Sequence, residues 1–112
     1  MLRVTVEQGP AGIRSISAAG HTGFAESGSD IVCAAVSTLM QALWIGLEDV
    51  LAIADLTVES DPGVPLMRIS WEREDDTAQA IARTICIALD GVAREYPDYV
   101  EIDEITDETQ GG

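Results

Sequence analysis

IVCAAVSTLMQALWIGLEDVLAI, residues Ile31 to Ile53, is the stretch whose reading decides the fold class. No charge interrupts it before Glu48. A bilayer span needs about 20 apolar residues. The uncharged run Ile31 to Leu47 is shorter than that and carries Ser37, Thr38, Gln41 and Gly46, and Glu48 and Asp49 follow directly. The stretch therefore predicts a long core helix with a nearly all-round apolar surface, covered on several sides, and no membrane partner. An apolar helix in a small chain has more surface than one sheet easily covers, so a second copy of the chain is expected against it.

Working outward, the flanks predict strands. Leu2, Val4 and Val6 alternate with Arg3, Thr5 and Glu7, the period of a half-buried strand. Gly9-Pro10-Ala11-Gly12 predicts a turn, and Ile13 to Ala19 the second strand of a hairpin. Gly20 to Ser29 holds Gly20, Gly23 and Gly28 and predicts a loop. After the helix, Leu56 to Glu59 and Leu66 to Glu72 predict two further strands around the turn residues Asp61-Pro62-Gly63. Asp76 with Gln79 has the form of a capping box and opens a second helix, with Ile81, Ile85, Leu89 and Val92 in its apolar stripe. Tyr96-Pro97 ends it, and Tyr99 to Glu104 predicts the last strand. The order ββαββαβ predicts an α+β fold, a two-layer sandwich with one sheet and two helices packed on it. Residues 1–105 form the single domain expected of a 112-residue chain, and residues 106–112 a polar C-terminal tail.

Acids outnumber bases 20 to 6, for a net charge of −14, and all six bases are arginine. Phosphate binding needs positive clusters, so direct contact with nucleic acid is not expected. The charge suits a neutral or basic protein partner, or serves solubility alone. Two cysteines far apart make neither a disulfide framework nor a redox pair. With a strand at the start and no leader pattern, the expected compartment is the cytoplasm, where thiols stay reduced.

Chemistry concentrates between His21 and Cys33, in GHTGFAESGSDIVC. His21 is the only histidine, and it follows a glycine at a strand end. If Asp30 is the N-cap of the long helix, Ile31, Val32 and Cys33 occupy its first positions, and Asp30 accepts from the N–H of Val32 or Cys33. The helix end then favours a thiolate at Cys33 and offers N–H groups to an oxyanion. A histidine and a thiolate are the minimal parts of a cysteine hydrolase. Against this stands the ordinary use of cysteine as a small core residue. Asp30 is a supporting residue, as a cap or as an orienter of His21. So is Ser37, one turn after Cys33, whose plain role is a bond to the helix backbone. Cys86, mid-helix among apolar residues, reads as packing. One His and one nearby Cys fall short of a zinc site even with Asp30 and Glu26, so neither metal nor other cofactor is expected.

The string His21-Thr22-Gly23 followed by Gly28-Ser29-Asp30-Ile31-Val32-Cys33-Ala34-Ala35-Val36-Ser37 resembles the bacterial ribosomal-processing cysteine proteases, the Prp family. Tyr96-Pro97-Asp98-Tyr99-Val100 and the order of elements resemble it too. The resemblance implies a homodimeric endopeptidase. It implies removal of a short N-terminal extension from a large-subunit ribosomal protein, after a hydrophobic, aromatic-containing segment. His21 maps to the family's histidine and Cys33 to its nucleophile, and the loop between them is implied to be mobile and to order on substrate. Thr22 departs from the pattern, where a small residue such as alanine is commoner. Two other classes share these features: a non-catalytic dimeric module that binds basic ribosomal proteins, and a redox sensor built on a reactive cysteine. Turnover on a peptide separates both from a protease.

Overall fold

The computed structural model describes residues 1–20, 27–61, 66–72 and 75–106. Strands β1 (Leu2–Gly9) and β2 (Gly12–Gly20) form a hairpin, followed by helix α1 (Ser27–Ile45) and a π-helical turn (Gly46–Val50). Then come β3 (Thr57–Asp61), β4 (Leu66–Ser70), helix α2 (Asp76–Glu95) and β5 (Val100–Thr106). This is the ββαββαβ order expected. The five strands lie in the order β3-β4-β2-β1-β5, all neighbours antiparallel except β1 with β5, which run parallel.

Alternation along the strands decides which face is covered. Leu2, Val4 and Val6 point inward beside Ile16, Ile69 and Val100, all buried. Arg3, Glu7, Arg68 and Glu101 fall on the opposite face, which is polar. Both helices pack on the apolar face: α1 supplies Val32, Val36, Met40 and Leu43, and α2 supplies Ala78, Ala82, Ile85 and Leu89. Each large side chain so buried stabilises the fold by roughly 1.5–3 kcal/mol relative to exposure.

Three expectations are corrected. The long helix begins at Ser27, not Ile31. Asp30 therefore lies inside its first turn, where an acid is also favoured by the partial positive charge of the helix end. The helix also stops sooner: the Leu51 N–H bonds to Gly46 O at 3.1 Å, and the Ile53 N–H to Leu47 O at 2.9 Å, with Ala52 in the left-handed region at φ 52. These bonds are wider than those of an α-helix, and Ala52 takes the left-handed place at the helix end usually held by glycine. The helix is also not covered on several sides. Its flank Ile31, Ala34, Thr38, Ala42 and Ile45 is exposed, with Ile31 at 60% and Ile45 at 53%. By length and composition Ile31–Val50 could cross a bilayer. Its opposite flank, with Val32, Val36, Met40 and Leu43, lies in the core of the sandwich.

The second helix is capped by Asp75, not Asp76. Its carboxylate accepts from Thr77 N–H at 2.8 Å and Ala78 N–H at 3.0 Å. Gln79 does not complete a capping box. Its amide works like a strand's peptide group: Oε1 accepts from Ile13 N–H at 2.9 Å, and Nε2 donates to Ile13 O at 2.6 Å. The N-terminus of α2 is thereby tied to the hairpin.

Candidate active site

β2 ends at Gly20, and α1 starts at Ser27 and runs back along the sheet. This connection holds His21 and sets Cys33 two turns into the helix. Gly20 has φ 102, and a Cβ on it would lie 2.5 Å from the Met1 carbonyl oxygen. Only glycine fits there, so the direction in which the chain leaves β2 toward His21 is fixed by contact with the start of β1. His21 and Gly23 themselves lie outside the described residues. So does most of the connection implied to be mobile. The two other glycines of the expected loop belong to regular elements: Gly20 ends β2, and Gly28 is in the first turn of α1. A glycine there forgoes little, because that turn has few completed hydrogen bonds to lose.

Cys33 is half-buried and packs against the core. It stands beyond the first helical turn, so the expected placement at the helix start is corrected. The N–H groups without helical partners are those at the very start of the helix, ahead of the thiol. The oxyanion role drawn for the N–H groups of Val32 and Cys33 falls with that placement. Ser37 shares the flank of Cys33, one turn on. It is exposed, and its hydroxyl accepts from Gln41 Nε2 at 3.4 Å.

The second thiol differs. Cys86 sits in mid-α2, half-buried against the core. Burial first, and then the charge of Glu104, push its pKa up to about 11. Loss of the proton is disfavoured on both counts, which suits packing and not nucleophilic chemistry. Neither cysteine is in a disulfide. Among the described residues no three His, Cys, Asp or Glu side chains are grouped as a metal would need.

The sequence reading missed a polar cavity of about 720 Å³ at the other end of the sheet, lined by Glu7, Gly12, Arg14, Arg68, Trp71 and Gln79 among others. Glu7 is its centre: it accepts from Ser15 Oγ at 3.1 Å, pairs with Arg68 at 3.2 Å, and lies 3.8 Å from Arg14. Strand alternation placed Glu7 and Arg68 on the polar face, but only the strand order brings them together. The hairpin turn lies a full strand length from Gly20, so this cavity is remote from Cys33.

The family model described as cysteine protease Prp matches residues 1–101. The ribosomal processing cysteine protease Prp of Mycoplasma pneumoniae is 29% identical over 108 residues, covering 93% of this chain and 95% of its own. Among solved structures, the essential ribosomal processing protease Prp of S. aureus, in complex with a substrate peptide, superposes with a TM-score of 0.81 at 22% identity, covering 93% of this chain and 99% of that one. A Streptococcus mutans protein superposes with a TM-score of 0.76 at 28% identity, over 96% of both chains.

Proposed function

The chain belongs to the cysteine protease Prp family, and from that premise we propose that it removes a short N-terminal extension from a large-subunit ribosomal protein, cutting after a hydrophobic, aromatic-containing segment. The observation that carries this reading is the span of the family match, residues 1–101, which takes in both His21 and Cys33. His21 takes the proton from Cys33 Sγ, and the thiolate attacks the scissile carbonyl to give an acyl-enzyme. The imidazolium protonates the leaving amine, and water then hydrolyses the thioester. Cys86 is the poorer nucleophile on its own account, since burial and then the charge of Glu104 disfavour loss of its proton. The reading is tested by incubating the purified chain with a ribosomal protein that carries its extension. Product masses should show one cut at the end of the apolar segment. An intact substrate after prolonged incubation would overturn the reading.

The site works in the cytoplasm, beside newly made ribosomal protein. The working unit is a homodimer joined through the exposed flank of α1. Ile31 and Ile45 stand at its ends with small uncharged residues between them, a surface that water covers poorly. Light scattering at low micromolar concentration should report twice the 11.9 kDa of one chain. Ile45→Glu should return it to monomer. A monomeric mass for the unaltered chain would contradict the assembly.

Charge bears on the encounter. Ribosomal proteins are basic because they bind RNA, and this chain carries −14. Steering raises the encounter rate and leaves the chemical step unchanged. Screening contracts to about 8 Å at physiological ionic strength. Accordingly, kcat/KM on the full-length substrate should fall as salt rises, while kcat on a short neutral peptide holds steady. Equal salt dependence of kcat/KM for the two substrates would show that the acids serve solubility only.

A further inference from the structure

β5 is an edge strand. β1 lies on one side of it, and among the described residues no strand lies on the other. Its run, Val100 to Thr106, is seven residues long against five for β3 at the far edge. Exposed edges are commonly blunted by proline, lysine, a bulge or brevity, since their open N–H and C=O groups pair with any extended chain. β5 has none of these: its register with β1 is unbroken, and it contains neither proline nor base. What it has is acid. Glu101 and Asp103 lie on the polar face and share one guanidinium, with Arg3 at 3.1 and 3.4 Å. Glu104 is exposed on the other face, and Ile105 is 50% exposed beside it. From Glu95 onward the sequence contains acids and no base.

Such an edge is selective. A second copy paired edge to edge would set carboxylates against carboxylates, which disfavours self-pairing. A basic strand would find opposite charge on both faces. We propose that the open edge of β5 docks an extended, basic segment of the ribosomal protein, which adds to the sheet as a sixth strand. The partner's identity rests on the reading above; the docking surface lies on a strand that carries neither His21 nor Cys33.

The test uses the full chain with Cys33→Ala, so that nothing is cut. The probe is a short, blocked peptide alternating arginine and valine. A glutamate–valine counterpart and an arginine–valine peptide N-methylated at alternate residues serve as controls. The basic peptide should slow hydrogen exchange of alternate β5 amides by about tenfold or more and leave β3 unchanged. N-methylation, which removes strand hydrogen bonds but not charge, should weaken binding by about tenfold, and the acidic peptide should not bind. In the otherwise unaltered chain, combining Glu101→Gln, Asp103→Asn and Glu104→Gln should lower kcat/KM on the full ribosomal protein several-fold and leave turnover of a short neutral peptide intact. Equal binding of the N-methylated peptide, or protection confined to β3 or α1, would overturn the proposal. Cleavage of the ribosomal protein with no protection at β5 would overturn it too, and would leave the protease reading standing. Protection at β5 without cleavage would support the edge and refute the substrate.

Discussion

Cys33→Ala is expected to reduce cleavage of the extended ribosomal protein by on the order of a thousandfold or more, because no acyl-enzyme can form without the nucleophile. Cys86→Ala should leave turnover within about twofold, since its side chain is a modest part of the packing under α2 and its proton is firmly held. His21→Ala should resemble Cys33→Ala, and the double variant should be little worse than either, because the two act as a unit. Circular dichroism must show all four variants folded. Comparable losses from Cys33→Ala and Cys86→Ala would move the nucleophile or remove it.

The second large effect is the suppressed reactivity of Cys86. Its pKa is raised from an ordinary 9.0 to about 11. At neutral pH the native thiolate fraction is thus about a hundredfold below that of the unfolded chain. Alkylation followed residue by residue should show Cys86 reacting about a hundredfold more slowly in the native chain than in denaturant. Its native rate should keep climbing about tenfold per pH unit beyond pH 9, where the denatured rate levels off. The corresponding stability runs the same way. Because the folded pKa is the higher one, the contribution is complete below pH 9 and fades as pH rises toward 11. Glu104→Gln should move the levelling-off to lower pH only in part, since burial is the larger cause. A native profile that levels near pH 9 would refute the assignment.

The strands were legible because alternation is a local signal. Leu2, Val4 and Val6 declare an inner face, and the structure buries all three. Helix limits were less so. Ser27, Gly28, Ser29 and Asp30 are each weak in a helix interior and good before one, yet all four are helical once the core anchors Val32 and Val36. The uncharged flank of α1 misled in a different way. Absence of charge permits burial but does not supply a covering layer, and Ile31 and Ile45 remain exposed. At Gln79 a local motif was outbid by a distant peptide group, that of Ile13, which no spacing rule anticipates. In the site, the packed place of Cys86 was readable from its position in mid-helix, whereas that of Cys33 was not, because it hung on where α1 begins. The remoteness of the Glu7 cavity was not, since it depends on strand order.

The parallel pairing of β1 with β5 also sets a clock. β2 follows β1 at once during synthesis, but β5, its other neighbour, is made almost a whole fold later. At about 5–20 residues per second the wait is on the order of 5–20 s. Throughout it, one side of β1 is a bare seam that any strand-forming chain emerging nearby can enter. A nascent or nicked polypeptide ending before Val100 should therefore be captured by holding chaperones or clump, and proteolytic capacity should switch on late and all at once, when the final strand closes the seam.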